Sequence, residues 1–78
     1  MLGFERITFD PGVLGGKACI RGMRIAVSLV VNLVANGMSA DEIVSEYPDL
    51  EAEDVRQALG YAAWLTDEKV YQPVGRTA

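Results

Sequence analysis

The chain has 78 residues, half of them hydrophobic, with a net charge of −4, one cysteine and no histidine. A lone cysteine without histidine excludes an intramolecular disulfide, a Cys–His catalytic pair and a zinc site of paired cysteines and histidines, and it fits the reducing cytoplasm. The longest apolar stretch is shorter than the ~18 residues that suggest a transmembrane helix, and the N-terminus shows no signal peptide, so we expect a cytoplasmic protein without a membrane segment.

Short β segments are predicted in the first third of the chain. Residues 7–9 alternate apolar and polar side chains and precede the turn sequence Asp-Pro-Gly at 10–12, which indicates a strand. Residues 18–21 and 24–27 read as two more β segments around Gly22. We expect these two segments to pair with each other as a tight hairpin.

Two helices are predicted next. Valines spaced at i, i+3, i+4 and i+7 predict the first helix over residues 27–36, with an Asn-Gly cap at its C-terminus. The second helix begins at a capping box formed by Ser39 and Glu42. It ends at Tyr47, because Pro48 disfavours helical geometry in the residue before it.

A third helix is predicted over residues 50–65, with a row of acids in its first turn, where the helix dipole favours negative charge. The polar residues 66–78 form a tail that we expect to be mobile. Residues 1–65 are therefore predicted to form one domain, mainly α with a small N-terminal β element, whose three helices make a helix-turn-helix of the winged-helix or homeodomain-like kind. On the third helix, the residues expected to face the core are Val55, Leu59 and Ala62, with Ala58, Tyr61 and Leu65 beside them.

Three motifs between Asp10 and Ala63 carry a family resemblance: CIRGMRIAV, GMSADEIVSEYPDL and EDVRQALGYAA. In this order they resemble the bacterial antitoxin-type family catalogued as domain of unknown function four-three-three. The resemblance implies a small helix-turn-helix protein with a short N-terminal β element that neutralises a PIN-like ribonuclease toxin encoded beside it. Met23, Ala26 and Glu51 depart from the Thr, the Pro and the Thr or Ser that are usual in the family.

The first functional hypothesis is therefore an antitoxin of a type II toxin–antitoxin pair, a homodimer that binds the DNA of its own operon and holds the toxin by direct contact. It needs no catalytic residue, cofactor or metal. The alternative is an interaction module that dimerises and binds a protein partner without binding DNA, which the acidic start of the third helix favours. A partner chain is attractive in both cases, because a chain of this length buries only about 60% of its unfolded surface.

Charge is segregated along the chain. Residues 1–38 carry four basic and two acidic side chains, whereas residues 39–78 carry three basic and nine acidic ones. We expect the basic side chains to meet phosphate, and an arginine and a glutamine of the third helix to suit DNA contacts. The candidate DNA-binding residues are Lys17, Arg21, Arg24, Arg56 and Gln57.

Each of these assignments has an open alternative. Arg21 and Arg24 are equally suited to pair with acids of the second half, such as Glu46 or Asp54, inside the fold or across a dimer. Such pairs would contribute little stability if they were exposed. For the two candidates on the third helix, the alternative is solvated helix surface without a DNA role.

Partner-binding residues are expected in the second half of the chain. Carboxylates suit a nuclease partner, because they can occupy its positively charged RNA-binding surface as mimics of phosphate. Aromatic residues near the end of the third helix suit an interface hot spot. The candidates are Glu51, Glu53, Trp64 and Tyr71, while Tyr61 and Cys19 are assigned to the core.

Overall fold

Three helices and one two-stranded sheet make up residues 3–67, the part of the chain that this computed structural model describes. The class predicted from the sequence, mainly α with a small N-terminal β element, is confirmed. The sequence predicts a mobile C-terminal tail, and from residue 68 onward this tail lies outside the described part. The elements are β1 (Ile7–Phe9), a 3-10 turn (Leu14–Gly16), β2 (Ala18–Ile20), α1 (Val27–Ala35), α2 (Ala40–Glu46) and α3 (Ala52–Leu65).

The sheet pairs β1 with β2 in antiparallel orientation. The predicted pairing of residues 18–21 with 24–27 is confirmed in reduced form: the two segments share one antiparallel bridge, between Cys19 and Ala26, and the Ile20 N–H donates to the Ile25 carbonyl at 3.0 Å before α1 begins. The chain reverses between them through Arg21 and Gly22, whose φ angles are both positive, at 47° and 73°. The register places Ile7 opposite Ile20, Thr8 opposite Cys19 and Phe9 opposite Ala18.

Packing, rather than helix propensity, holds α1. Its valines have poor helix propensity, but two of them are buried in the core. The helix ends in a Schellman motif, in which Gly37 has a φ of 99° and its N–H donates to the Val34 carbonyl at 2.9 Å. The Met38 N–H donates to the Leu33 carbonyl at 3.0 Å. The cap predicted from the sequence is therefore confirmed.

The capping box predicted at the start of α2 is also confirmed. Ser39 Oγ accepts a hydrogen bond from the Glu42 N–H at 3.1 Å, and the Glu42 carboxylate accepts one from the Ser39 N–H at 2.8 Å. Tyr47 leaves helical geometry, at φ −123° and ψ 82°, before Pro48. Local signals thus define both ends of α2.

The predicted inner face of α3 is confirmed at Val55, and Leu59 departs from it. Leu59, expected to face the core, is 36% exposed, whereas Ala58 and Tyr61 are buried. The N-terminal segment covers one flank of the helix: Phe4 packs edge-to-face on Tyr61, with ring centroids 5.7 Å apart, and a Cβ at Gly60 would lie 3.3 Å from the Phe4 ring. The core cluster consists of Ile7, Ile20, Val27, Val30, Ile43, Leu50, Val55, Ala58 and Tyr61.

Removing the capping hydroxyl in Ser39→Ala is expected to lower the free energy of unfolding by about 1 kcal/mol, because one N–H in the first turn of α2 loses its acceptor. The matched control is Ser45→Ala in the same helix, since the exposed Ser45 side chain makes no hydrogen bond within residues 3–67. Urea unfolding followed by circular dichroism measures both variants. Equal stabilities would contradict the capping role of Ser39.

Candidate functional site

Four hydrogen bonds converge on the carboxylate of Asp54, whose side chain is fully buried. Arg21 donates to it from Nε and Nη2 at 3.0 and 2.9 Å, and Arg6 donates from Nη1 at 3.1 Å. The Glu51 N–H is the fourth donor, at 2.8 Å, and the Glu51 carboxylate lies 2.6 Å from Arg6 Nη1. We call Arg6, Arg21, Glu51 and Asp54 the Asp54 cluster.

Three parts of the fold bring this cluster together. Arg6 directly precedes β1 and Arg21 directly follows β2, so the antiparallel pairing places them side by side, and the Arg21 N–H donates to the Arg6 carbonyl at 2.7 Å. Asp54 is the third residue of α3, where a carboxylate can accept the N–H of the residue before the helix. Arg21 Nη2 also donates to the Asp49 carbonyl, at 2.6 Å, in the connection between α2 and α3. The cluster therefore joins the sheet to the start of α3.

Hydrogen bonding outweighs burial in setting the protonation of Asp54. Burial by itself raises the pKa of this carboxyl, but hydrogen bonds from Arg21, the Glu51 N–H and Arg6 lower it by more, so the pKa lies below its ordinary value of 3.8. The same contacts raise the pKa of Arg6, mainly through Glu51, and the pKa of Arg21, mainly through Asp54. At neutral pH the cluster contains two cations and two anions and is balanced in charge.

Two of the candidate DNA-binding residues make their contacts inside the fold. The Arg21 guanidinium is occupied by Asp54 and by a backbone carbonyl, so the alternative that pairs it inside the fold describes the structure. Gln57 is only 6% exposed: its Oε1 accepts the Arg6 N–H at 3.0 Å and its Nε2 donates to Glu53 at 3.0 Å. Gln57 is buried because the N-terminal segment, 51 positions away along the chain, covers this flank of α3.

The other cations of the predicted DNA site differ in whether they have a partner. Arg56 forms a bidentate ion pair with Glu53 on the surface of α3. This contact, followed by the Gln57 amide, lowers the pKa of Glu53 to about 2. Lys17 and Arg24 are exposed, and neither forms an ion pair with another side chain in the described part of the protein.

The two carboxylates predicted to bind a partner are already paired. The Glu51 side chain is 63% exposed and contacts Arg6, and the Glu53 side chain is 39% exposed and contacts Arg56. Each would have to share or release its arginine before it could meet a cation of another protein. The predicted acidic interface therefore consists of neutralised pairs.

The aromatic candidates lie at the end of α3. Trp64 is 55% exposed, and its ring centroid lies 6.0 Å from that of Tyr61 and 6.3 Å from that of Phe4. Tyr71 lies outside the described residues. The core assignments of Tyr61 and Cys19 are confirmed, since these residues are 8% and 2% exposed.

An apolar groove that the sequence analysis missed lies between the sheet, α1 and α3, with a volume of about 450 Å³. Two of its large side chains, Phe9 and Leu65, are 51% and 59% exposed, and each is the last residue of its element. Lys17 and Asn32 are polar residues in its wall. The apolar lining is Phe9, Ala18, Val27, Val31, Tyr61, Ala62 and Leu65. We call this surface the groove.

Residues 3–67 lack two other kinds of site. Over that range, no three side chains of the metal-ligating types His, Cys, Asp and Glu come together. None of the helices described has both the length and the apolar run needed to cross a bilayer.

Both the sequence and the fold match known proteins. The model of a family described as "Protein of unknown function (DUF433)" matches residues 7–62. The uncharacterized protein y4eO of Sinorhizobium fredii is 40% identical over 58 residues, which are 74% of this chain and 26% of that protein. The crystal structure of a DUF433 member protein from Anabaena variabilis has a TM-score of 0.70 and 39% sequence identity, covering 76% of this chain and 58% of that one. The chain thus spans about a quarter of the curated relative.

Removing the central carboxylate in Asp54→Ala is expected to lower the free energy of unfolding by about 2–3 kcal/mol, because two arginines lose the anion that they surround. The loss stays below the ~3–5 kcal/mol of a fully buried pair, since both guanidinium groups can turn towards water. Asp49→Ala is the matched control, because it removes the same charge from an exposed side chain that makes no hydrogen bond among the described residues. Chemical denaturation measures the difference, and two variants of equal stability would exclude a structural role for the cluster.

The lowered pKa of Asp54 makes part of the stability depend on pH. The contribution is complete above the unfolded pKa of about 3.8 and is lost as the pH falls through the lower folded value, because the folded state holds the carboxylate ionised. The stability difference between the wild type and Asp54→Ala should be constant from neutral pH to about pH 4 and should shrink at lower pH. Urea unfolding across this range measures the difference. A stability difference that stays constant into strong acid would contradict the lowered pKa of Asp54.

Proposed function

We propose that this chain, which belongs to the DUF433 family of proteins of unknown function, is a protein-interaction module that binds a protein partner in the groove and does not bind DNA. The observation that carries the proposal is the groove itself. It is concave and mostly apolar, and it leaves Phe9 and Leu65 largely in water. A groove beside two helices suits an apolar peptide segment or the apolar face of a helix.

The electrostatics of the surface support the same choice. Of the five predicted DNA contacts, Gln57 is buried, Arg21 binds a buried carboxylate, and Arg56 is paired with a glutamate. Lys17 and Arg24 remain, and two phosphate contacts per chain correspond to a salt slope of only about −2. The first turn of α3, which a helix-turn-helix protein would present to the major groove, offers no unpaired cation to phosphate, because its two acids are Glu53, paired with Arg56, and the buried Asp54.

The finer classification comes from the family resemblance. The helices α2 and α3 follow one another across a short connection, in the order of a helix-turn-helix, and this classification remains a prediction. The resemblance also supplies the candidate partner, a PIN-like ribonuclease toxin, which would make the module the toxin-binding part of an antitoxin. The homodimer and the cytoplasmic location remain predictions from chain length and cysteine content.

The DNA part of the proposal is tested by fluorescence anisotropy at low salt, with a duplex from the region upstream of the chain's own gene and an unrelated duplex as control. We expect no preference for the upstream duplex, because the side chains suited to base contacts are buried or paired. Binding that prefers the upstream duplex and is lost in Arg24→Ala would contradict this expectation.

The partner part is tested by calorimetry with a PIN-like ribonuclease, the class of partner that the family resemblance implies. Leu65→Gln removes an exposed apolar side chain from the groove and is expected to weaken binding about tenfold or more. Leu14→Gln is the matched control, because Leu14 is 37% exposed and lies outside the groove. Equal affinities of the two variants would place the interface elsewhere.

A further inference from the structure

The charge of the groove is opposite to that of the protein as a whole. The chain carries 11 acidic and seven basic residues, yet none of the described residues that line the groove is acidic. Lys17 lies in the wall and forms no ion pair with another side chain among residues 3–67. The groove therefore offers a cation to a ligand, in a protein whose net charge is −4.

The start of α1 adds to the positive charge of this wall. The bridge between Cys19 and Ala26 brings the beginning of β2 beside the beginning of α1, so Lys17 and Ser28, each two residues from the bridge, line the same part of the groove. The first turn of α1 contains no acid, and its N-cap residue makes no side-chain cap. The positive end of the helix dipole and the exposed Ser28 hydroxyl thus favour a carboxylate beside Lys17.

The rest of the groove suits an alkyl chain or an aromatic ring. Phe9, Tyr61 and Leu65 supply its large apolar side chains, and most of its lining is apolar. Its volume of about 450 Å³ lies within the range of roughly 300–1,000 Å³ that is typical of small-molecule sites. A ligand with an apolar body and one negatively charged end matches both parts of the groove.

We propose that the groove binds a small amphipathic monocarboxylate, with its apolar chain or ring against Phe9, Tyr61 and Leu65 and its carboxylate beside Lys17 and the start of α1. This binding needs no protein partner and does not depend on the proposed function. One consequence does rest on that function: because the ligand and the partner would share the groove, the ligand would lower the apparent affinity for the partner by competition.

Titration of the isotope-labelled full chain by NMR tests the proposal with octanoate, octanol and octylammonium. These probes share one alkyl chain and differ in the charge of the head group. The amide signals of Ser28 and Ala62, which line the groove, should shift, and that of Asp49, which does not line it, should not. Octanoate should bind about two- to fivefold more tightly than octanol, the range of an exposed ion pair, and octylammonium should bind most weakly.

This order separates the local charge of the groove from the charge of the whole protein. The net charge of −4 attracts the ammonium probe and repels the carboxylate, so a non-specific effect gives the reverse order. A preference for octanoate therefore reports a cation at the binding site.

Two variants that each remove one positive charge assign the preference to a residue. Lys17→Met should lose most of the preference for octanoate over octanol, whereas Lys17→Arg, which keeps the cation, should retain it. Arg24→Met is the matched control, because Arg24 is also exposed and has no ion-pair partner in residues 3–67 but lies outside the groove. Its preference should equal that of the wild type.

Three results would overturn the proposal. Groove signals that do not shift with octanoate would show that the ligand binds elsewhere or not at all. Equal affinities of octanoate and octanol would show that the groove does not select a carboxylate, and equal losses in Lys17→Met and Arg24→Met would attribute the preference to net charge. Neither DNA nor a partner protein enters these samples, so their failure leaves the proposed function standing, and failure of the partner experiment leaves this ligand site standing.

Discussion

A fully buried carboxylate, that of Asp54, imposes the constraint on which the rest of the structure depends. An ionised carboxylate is costly to remove from water unless donors surround it, and here four hydrogen bonds replace the lost hydration. Arg6 and Arg21 supply three of them from positions directly beside the two strands, so the sheet has to lie beside the first turn of α3. The position of the sheet against α3 therefore follows from this charge requirement as well as from apolar packing.

The same requirement explains the basic motif CIRGMRIAV. Arg21 leaves β2 with a positive φ and directs its guanidinium to Asp54, while Arg24, three residues later, stays exposed. One short motif thus contains a structural cation and a surface cation. Because the structural cation is already used inside the fold, the surface has little positive charge to offer a nucleic acid. In the proposed function the recognition surface is the groove, and it is apolar.

Local signals made the helix ends predictable, whereas the remote contact that buries Gln57 was missed and that between Arg21 and Asp54 stayed one of two alternatives. Ser39 begins α2 and Pro48 prevents its continuation, and each acts on residues within four positions. Gln57 is instead buried, and Arg21 is neutralised, by residues far along the chain. Side chains of these two types are usually exposed, so the residue types indicated the surface. The groove was missed for a related reason, because its concavity arises only when the sheet, α1 and α3 pack together.

A double-mutant cycle between Arg21 and Asp54 tests the central claim most directly. It compares the free energy of unfolding in urea for the wild type, Arg21→Ala, Asp54→Ala and the double variant, with a parallel cycle between Arg24 and Asp54 as the reference. If Arg21 neutralises the buried carboxylate, the double variant loses much less stability than the two single variants together, while the Arg24 cycle is additive. Additive losses in both cycles would show that Arg21 and Asp54 do not support each other in the fold, and would make Arg21 a candidate for DNA contact again.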